Sequence, residues 1–203
     1  MENNIILQWV FEHKIEIIAS IISLIYLYFS IRQNILLWLF GILSSTLYIY
    51  VYYTSTFYAD MSLQFYYVII SIYGWIHWHK AEDNTDRLTP QNGSIKLILL
   101  CILTGLVLWF ILYYILNLTN SDVALGDAFT TAFGIVATWM LARKIIEHWL
   151  FWIVIDSVSL LLYMYKGLYA TAGLFLVYTL AAILGYFSWK KDIKKHHNTT
   201  PIN

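Results

Sequence analysis

The chain has 203 residues, of which 60% are hydrophobic and 12% are charged, with a mean hydropathy of +0.65 and a net charge of zero. A soluble domain of this size could not cover so much apolar surface, so the composition predicts an integral membrane protein. Nothing in the charge pattern indicates a nucleic-acid partner, and the single cysteine, Cys101, excludes a disulfide within the chain.

Seven apolar runs are each long enough to cross a membrane as a helix, which takes about 17 to 25 residues. They lie near 15–31, 35–53, 58–79, 95–116, 127–142, 147–165 and 168–189. The first run carries Glu16 near its start and is not followed by a small-residue cleavage site, so we expect a retained span and not a signal peptide. The sequence therefore predicts an all-α membrane protein in which 1–203 form a single transmembrane domain.

Lysine and arginine are divided unevenly between the two sides of this topology. The side that holds the N-terminus carries only two, Lys14 and Lys166. The other side carries ten: Arg32, Lys80, Arg87, Lys96, Arg143, Lys144, Lys190, Lys191, Lys194 and Lys195. By the positive-inside rule the N-terminus lies outside and the C-terminus in the cytoplasm. Residues 190–203 read as a polar, basic cytoplasmic tail that we expect to be disordered.

The chain also contains an internal repeat. Adding 111 to a residue number maps Trp38-Leu39-Phe40 onto Trp149-Leu150-Phe151 and Gly74 onto Gly185, with 13 identities in 43 residues between positions 38 and 80. A shift of four spans preserves orientation, so we expect two parallel three-helix bundles, at 15–79 and 127–189, joined by a linker helix at 95–116. In transporters built from such repeats the substrate lies at the interface of the repeats.

The sixth span carries the residues that point most directly to a ligand. Trp149, Trp152 and Asp156 stand at i, i+3 and i+7, which places two indoles and a carboxylate on one helical face. A charged group within a span costs about 2.5 to 3.5 kcal/mol on insertion scales, so Asp156 needs a partner, a proton or a water-filled cavity. Such a face suits a flat cationic guest. Alternatively, the two tryptophans belong to the belt of aromatic residues at the membrane–water interface.

The second and third spans add a polar surface in the first bundle. The third span has a polar stripe at i, i+4, i+7 and i+11, formed by Asp60, Gln64, Tyr67 and Ser71. The second span has a polar cluster formed by Ser44, Ser45, Thr46 and Tyr48. Substrate contact and interhelical hydrogen bonding both remain open for these residues. Asp60 lies near the outer boundary and fits a helix N-terminal charge or a gate better than a ligand contact.

No enzyme signature is present in the sequence. His77 and His79 are two residues apart, a spacing that does not bring two imidazoles to one helical face for a metal ion. There is no nucleophile elbow, phosphate loop or paired thiol motif. We therefore expect no catalytic residues, no metal site and no cofactor.

Four stretches resemble the PnuC family of vitamin-precursor transporters. They are Trp149-x-x-Trp152, the stretch from Tyr58-Ala59 to Tyr73-Gly74-Trp75, Ala142-Arg143-Lys144-x-x-Glu147, and Lys166-Gly167-Leu168-Tyr169. The resemblance covers about 15 to 190. It implies a SWEET-like three-plus-one-plus-three bundle in a bacterial inner membrane. The family's carriers pass an unphosphorylated precursor by facilitated diffusion, and a cytoplasmic kinase then traps it.

The chain departs from this pattern in one respect. In the family pattern that this chain resembles, the members that carry nicotinamide riboside have asparagines at three positions. This chain has Ser44, Ser71 and Asp156 there. A carboxylate at position 156 favours a cargo that is a permanent cation. The resemblance implies nicotinamide riboside as that cargo, and thiamine, another permanent cation, is the alternative. The expected substrate-binding residues are Trp149, Trp152, Asp156, Gln64, Tyr67, Ser71, Ser44 and Thr46.

The residues leave open one further function and one further property of the chain. A membrane receptor or subunit that binds a ligand without moving it is the alternative of another class. Small residues between Gly167 and Gly173 leave room for self-association into a homo-oligomer.

Overall fold

A computed structural model describes residues 14–54, 58–83, 89–118 and 123–199. In these ranges the chain forms seven helices, one at each predicted span. They are α1 (Lys14–Ile31), α2 (Leu36–Thr54), α3 (Tyr58–Asp83), α4 (Ile95–Asn117), α5 (Ala124–Ala142), α6 (His148–Tyr165) and α7 (Tyr169–Thr199). Five helical segments among these residues are long and apolar enough to cross a membrane: Leu36–Thr54, Ile95–Asn117, Ala124–Ala142, His148–Tyr165 and Thr171–Lys195. The all-helical membrane fold is thus confirmed.

The chain divides into two compact units, Met1–Asp83 and Asn84–Asn203. In the first unit α1 packs on α2 and α2 on α3; in the second, α4 packs on α5, α5 on α6 and α6 on α7. The helix predicted as a linker, α4, therefore lies against α5. Gly105 lets Phe133 approach the α4 backbone, and Trp109 Nε1 donates to the Leu125 carbonyl at 3.0 Å.

A tryptophan seated on a glycine joins α2 to α3. Trp38 is fully buried, and a Cβ built on Gly74 would lie 2.4 Å from the Trp38 ring, so only a glycine admits the indole at this distance. Trp78, one turn beyond Gly74, meets Trp38 edge to face at 5.4 Å and 87°. Edge-to-face pairs of this kind add about 0.5 to 1.5 kcal/mol beyond the area they bury.

The same contact recurs in the second unit, 111 residues later. Trp149 is 2% exposed, and a Cβ on Gly185 would lie 2.6 Å from its ring. Trp189 meets Trp149 edge to face at 5.9 Å and 84°. We call each set of tryptophan, glycine and second tryptophan a tryptophan–glycine lock.

The turns that precede the two locks also share their geometry. Gln33 and Lys144, which are 111 residues apart, both have a positive φ, of 55° and 51°. The arginine before each, Arg32 or Arg143, lies over an aromatic ring one turn earlier, at 5.7 and 5.5 Å from the ring centroid. The sequence repeat thus corresponds to a repeat of local structure.

The segment before α4 is fastened to the turn between α5 and α6. Gln91 donates its N–H to the Lys144 carbonyl and accepts from the Ile146 N–H, both at 3.0 Å. Gly93 donates its N–H to the Glu147 carboxylate at 2.8 Å. These bonds place the start of α4 and the start of α6 at the same end of the second unit, as the predicted topology requires.

Three predicted boundaries differ from the structure. α3 runs to Asp83 and α5 begins at Ala124, so both helices exceed their apolar runs. The disordered tail predicted from residue 190 is wrong for 190–199, because α7 continues without a break to Thr199. The preceding span supplies the helical nucleus, and lysines near a helix C-terminus interact favourably with its dipole.

The locks predict a sharp effect of a single methyl group. Gly185→Ala or Gly74→Ala should lower the free energy of unfolding by about 1 to 3 kcal/mol, because the new Cβ overlaps a rigid indole ring. The measurement is the midpoint of thermal unfolding in detergent. Gly173→Ala, on the same helix as Gly185, is the matched control.

A Cβ at Gly173 meets nothing within 4 Å, so this variant should be neutral or slightly more stable than the parent. Equal midpoints for Gly185→Ala and Gly173→Ala would contradict the lock.

Candidate functional site

α6 presents Asp156 and Ser159 on the face that also carries the tryptophans. The turn before it contains Ile145 and Ile146, both 2% exposed, which anchor the start of the helix. From there the 3.6-residue period brings Trp149, Trp152, Asp156 and Ser159 to one side. Asp156 stands midway along the 18-residue helix.

Asp156 is a buried carboxylate without a partner in the described part of the chain. Its side chain is 5% exposed, and no described residue forms a hydrogen bond or an ion pair with it. The helices on either side of α6 offer no compensating cation, because no Lys or Arg occurs in 97–142 or in 168–189. A cationic ligand that binds next to such a carboxylate is attracted to it and replaces the water that the carboxylate lost on burial.

Ser159, one turn beyond Asp156, was not among the residues predicted for the site. It is also 5% exposed, and no described residue hydrogen-bonds to its hydroxyl. Its spacing of three residues from Asp156 was visible in the sequence. A serine in an apolar run, with Ser157 two residues before it, carries too little signal to be chosen without its burial.

Trp152 is partly buried and lies at the edge of an apolar cluster. The cluster is formed by Ala132, Phe133, Ala137 and Ile155, with Trp152 packed against it. Two alanines on α5 leave room for the indole, so its orientation is set by α5 as well as by α6. An indole that is held by such packing and is still partly exposed is suited to stacking on a flat ring.

Trp149 is placed differently from Trp152. Its ring occupies the lock with Gly185 and Trp189, and its neighbour His148 lies 4.5 Å away between ring centroids. No described residue accepts a hydrogen bond from its buried Nε1. This geometry gives Trp149 a packing role; its predicted contact with a ligand stays a prediction.

His148 is a buried histidine that was not predicted to have a role. It is fully buried, its Nδ1 lies 2.7 Å from the Ile145 carbonyl, and its ring meets Trp189 at 4.8 Å. The contacts connect the turn before α6 to the part of α7 around Trp189. The one feature of the sequence that could have indicated a role for His148 is its position beside a tryptophan at the start of an apolar run.

In the first unit, the predicted polar residues of α2 and α3 lie in different surroundings. Ser44 is buried and its hydroxyl is 2.7 Å from that of Ser23 on α1. Ser71 is 4% exposed and close to α2, since a Cβ on Gly41 would lie 2.9 Å from its Oγ. Both serines therefore line helix–helix contacts within the unit.

The remaining predicted residues of the first unit are less enclosed. Gln64 and Tyr67 are partly buried on α3. Thr46 is exposed on α2, and its hydroxyl donates to the Ile42 carbonyl of its own helix at 2.7 Å. That back-bond satisfies the hydroxyl without a ligand. The side chain of Asp60 lies outside the described residues.

Comparison with known proteins places these features in a family. Residues 13–191 match the family model described as nicotinamide mononucleotide transporter. The chain is 26% identical over 201 residues to the nicotinamide riboside transporter PnuC of Escherichia coli strain K12, covering 86% of this chain and 84% of that protein. It is 25% identical over 191 residues to the transporter of the same name from Neisseria mucosa, covering 88% and 73%.

The fold also matches a solved structure. The crystal structure of the vitamin B3 transporter PnuC superposes with a TM-score of 0.72 at 23% identity, covering 95% of this chain and 87% of that one. At this identity the match concerns the fold, which is that of a multi-pass membrane protein.

The contrast between two carboxylates gives a test of the site. Asp156→Ala should leave the midpoint of thermal unfolding of the ligand-free protein unchanged or higher, because it removes a buried charge that no described group compensates. Glu147→Ala makes the same kind of truncation but removes the acceptor of the Gly93 N–H.

The free energy of unfolding of the Glu147 variant should fall by about 1 to 2 kcal/mol, because the hydrogen bond from the Gly93 N–H is lost. A large loss of stability in Asp156→Ala would mean that this carboxylate supports the fold, and would count against a ligand-binding role.

Proposed function

Because the chain belongs to the nicotinamide mononucleotide transporter family, which includes the PnuC carriers, we propose that it imports nicotinamide riboside across the bacterial inner membrane by facilitated diffusion. The single observation that carries the choice of cargo is the buried, uncompensated carboxylate of Asp156 in the middle of α6. Nicotinamide riboside is a permanent cation through its pyridinium nitrogen, so it supplies the charge that Asp156 lacks.

The chemistry of α6 supports a division of roles. The Trp152 indole stacks on the pyridinium ring, where a desolvated cation and an aromatic face attract each other by about 2 kcal/mol. Asp156 balances the charge, and the Ser159 hydroxyl bonds a polar arm of the cargo. Trp149 acts through packing, by holding α6 at the angle that presents Trp152 and Asp156.

The first unit contributes polar residues under the same proposal. Gln64 and Tyr67 are the better candidates for cargo contact, because both side chains are partly buried within the polar stripe of α3. Ser44 and Ser71 shape the helix contacts on which that surface rests. Thr46 is the weakest candidate, because its hydroxyl is already bonded to Ile42.

We propose the three-plus-one-plus-three architecture for the spans. The shift of 111 relates the bounds of α1, α2 and α3 to those of α5, α6 and α7, and it relates the two locks and the two positive-φ turns. These correspondences support two parallel repeats with α4 as the added helix. The division of Lys and Arg, ten against two, supports an N-terminus outside and a C-terminus in the cytoplasm.

Thiamine is the alternative cargo, because its thiazolium ring is also flat and permanently cationic and would meet the same indole and carboxylate. A receptor that binds the cation without moving it is the alternative of another class. The family membership favours a carrier, and phosphorylation of the imported nucleoside by a cytoplasmic kinase would keep it inside.

Uptake by the isolated protein tests the proposal. Proteoliposomes that contain only this chain should take up labelled nicotinamide riboside saturably until the inside and outside concentrations are equal, without ATP or an ion gradient. Phosphorylated nicotinamide riboside should not enter. Binding of nicotinamide riboside with no more uptake than in protein-free liposomes would favour a receptor. Uptake of thiamine but not of nicotinamide riboside would show that thiamine is the cargo.

The role of Asp156 can be separated from that of the binding surface as a whole. Asp156→Ala should raise the half-saturating concentration of nicotinamide riboside about tenfold to a hundredfold, as expected for loss of about 1.5 to 3 kcal/mol from a charge-assisted contact. The reduced, uncharged form of the nucleoside should be affected little. The measurement is the competition of each form against labelled uptake.

Asp127→Ala, the same substitution on the neighbouring helix α5, is the matched control and should change neither value. An equal loss for the charged and uncharged forms would show that Asp156 does not act through the charge of the cargo.

A further inference from the structure

Three separate segments of the second unit meet at one end of its helices. The residues before α4 hydrogen-bond to the turn before α6, through Gln91 with Lys144 and Ile146. At the same level, Trp189 near the end of the apolar part of α7 packs on His148, the first residue of α6, at 4.8 Å. The starts of α4 and α6 and the basic part of α7 therefore lie together.

This end of the unit is strongly cationic. Its exposed cations are Lys96, Arg143, Lys190, Lys191, Lys194 and Lys195. Among the described acids at this end, Glu147 already accepts a hydrogen bond from Gly93, and Asp192 is only partly exposed. The described acids therefore neutralise only part of the charge.

The four lysines of α7 form one face of the helix, which we call the basic face. Positions 190, 191, 194 and 195 fall within an arc of about 140° at 100° per residue. Asp192 and Ile193 point to the other side and are partly buried. The Lys190 Nζ lies 5.2 Å from the ring centroid of Tyr186 and 3.4 Å from its hydroxyl, so the face begins at an aromatic residue of the kind that marks headgroup depth.

The distance of this face from the apolar span agrees with the thickness of a headgroup layer. The lysines lie one to six residues past Trp189, which corresponds to about 1.5 to 9 Å along the helix. The polar layer on each side of a bilayer is about 5 to 8 Å thick, taking a total of about 40 to 45 Å and a hydrocarbon core of about 30 Å. Because the helix is continuous from the span to the lysines, the ammonium groups are held at that depth.

We propose that the basic face of α7 binds the headgroups of anionic phospholipids in the membrane that the chain spans. Charge complementarity and depth select this partner over a soluble anion, because the cations are spread over an exposed arc and do not converge on an enclosed pocket. Polybasic segments next to a span bind anionic lipid with an affinity that changes about fivefold for each lysine. The proposal does not depend on the identity of the cargo.

Lipid binding to the full-length purified chain tests the proposal directly. Native mass spectrometry in detergent should detect phosphatidylglycerol bound more tightly than phosphatidylcholine of the same acyl chains. Replacing the basic face in the variant K190Q/K191Q/K194Q/K195Q should raise the apparent Kd for phosphatidylglycerol at least tenfold. Lys166→Gln, which removes an exposed lysine at the other end of α6, should change that Kd less than twofold.

Equal binding of the two lipids by the parent chain would overturn lipid recognition by the basic face, and so would a quadruple variant that keeps the preference. Displacement of phosphatidylglycerol by inorganic phosphate at millimolar concentration would overturn it too, because it would indicate a site for a soluble anion. If the quadruple variant does not fold, the pair K194Q/K195Q, farther from the span, should still weaken phosphatidylglycerol binding at least fivefold. An unchanged Kd in that pair would overturn the proposal as well.

Discussion

The contact between an indole ring and a glycine backbone is the interaction on which each unit depends. In a membrane the lipid is as apolar as the helices, so helices associate through close packing, and small residues permit the closest approach. Gly74 and Gly185 supply that approach, and Trp38 and Trp149 fill the space above them completely. Because the two locks are 111 residues apart, one solution to helix packing serves both halves of the chain.

The lock also separates the role of Trp149 from that of the other α6 residues proposed to bind a ligand. Trp149 is committed to Gly185 and Trp189, so the proposed ligand contacts of α6 fall to residues farther along the same face. Trp152, Asp156 and Ser159 follow at intervals of three or four residues, and the carboxylate among them lacks a compensating group in the described part of the chain. Under the proposed function this carboxylate recognises the cargo, while the lock about two turns away stabilises the helix packing.

The sequence alone predicted the seven spans and the repeat, because hydropathy and a fixed offset between identical residues are properties of the chain itself. It mapped Gly74 onto Gly185 without giving the reason, since the ring that needs each glycine lies 36 residues earlier, on another helix. For the same reason it assigned Trp149 and Trp152 to one role: helical spacing places both on a face but does not reveal which neighbour covers them. His148 and Ser159 were missed because only burial distinguishes them, and the helix beyond Trp189 was missed because composition alone resembles that of a tail.

Recognition of a cationic cargo by α6 can be measured by thermal stabilisation of the purified protein with nicotinamide riboside, thiamine and an uncharged nucleoside of similar size. A ligand that binds only the folded state raises its stability by about 2.7 kcal/mol at a hundredfold excess over Kd. We expect a raised unfolding midpoint with nicotinamide riboside and none with the uncharged nucleoside. Equal stabilisation by the charged and uncharged ligands, or none by either cation, would contradict the assignment of α6 as a surface for a cationic cargo.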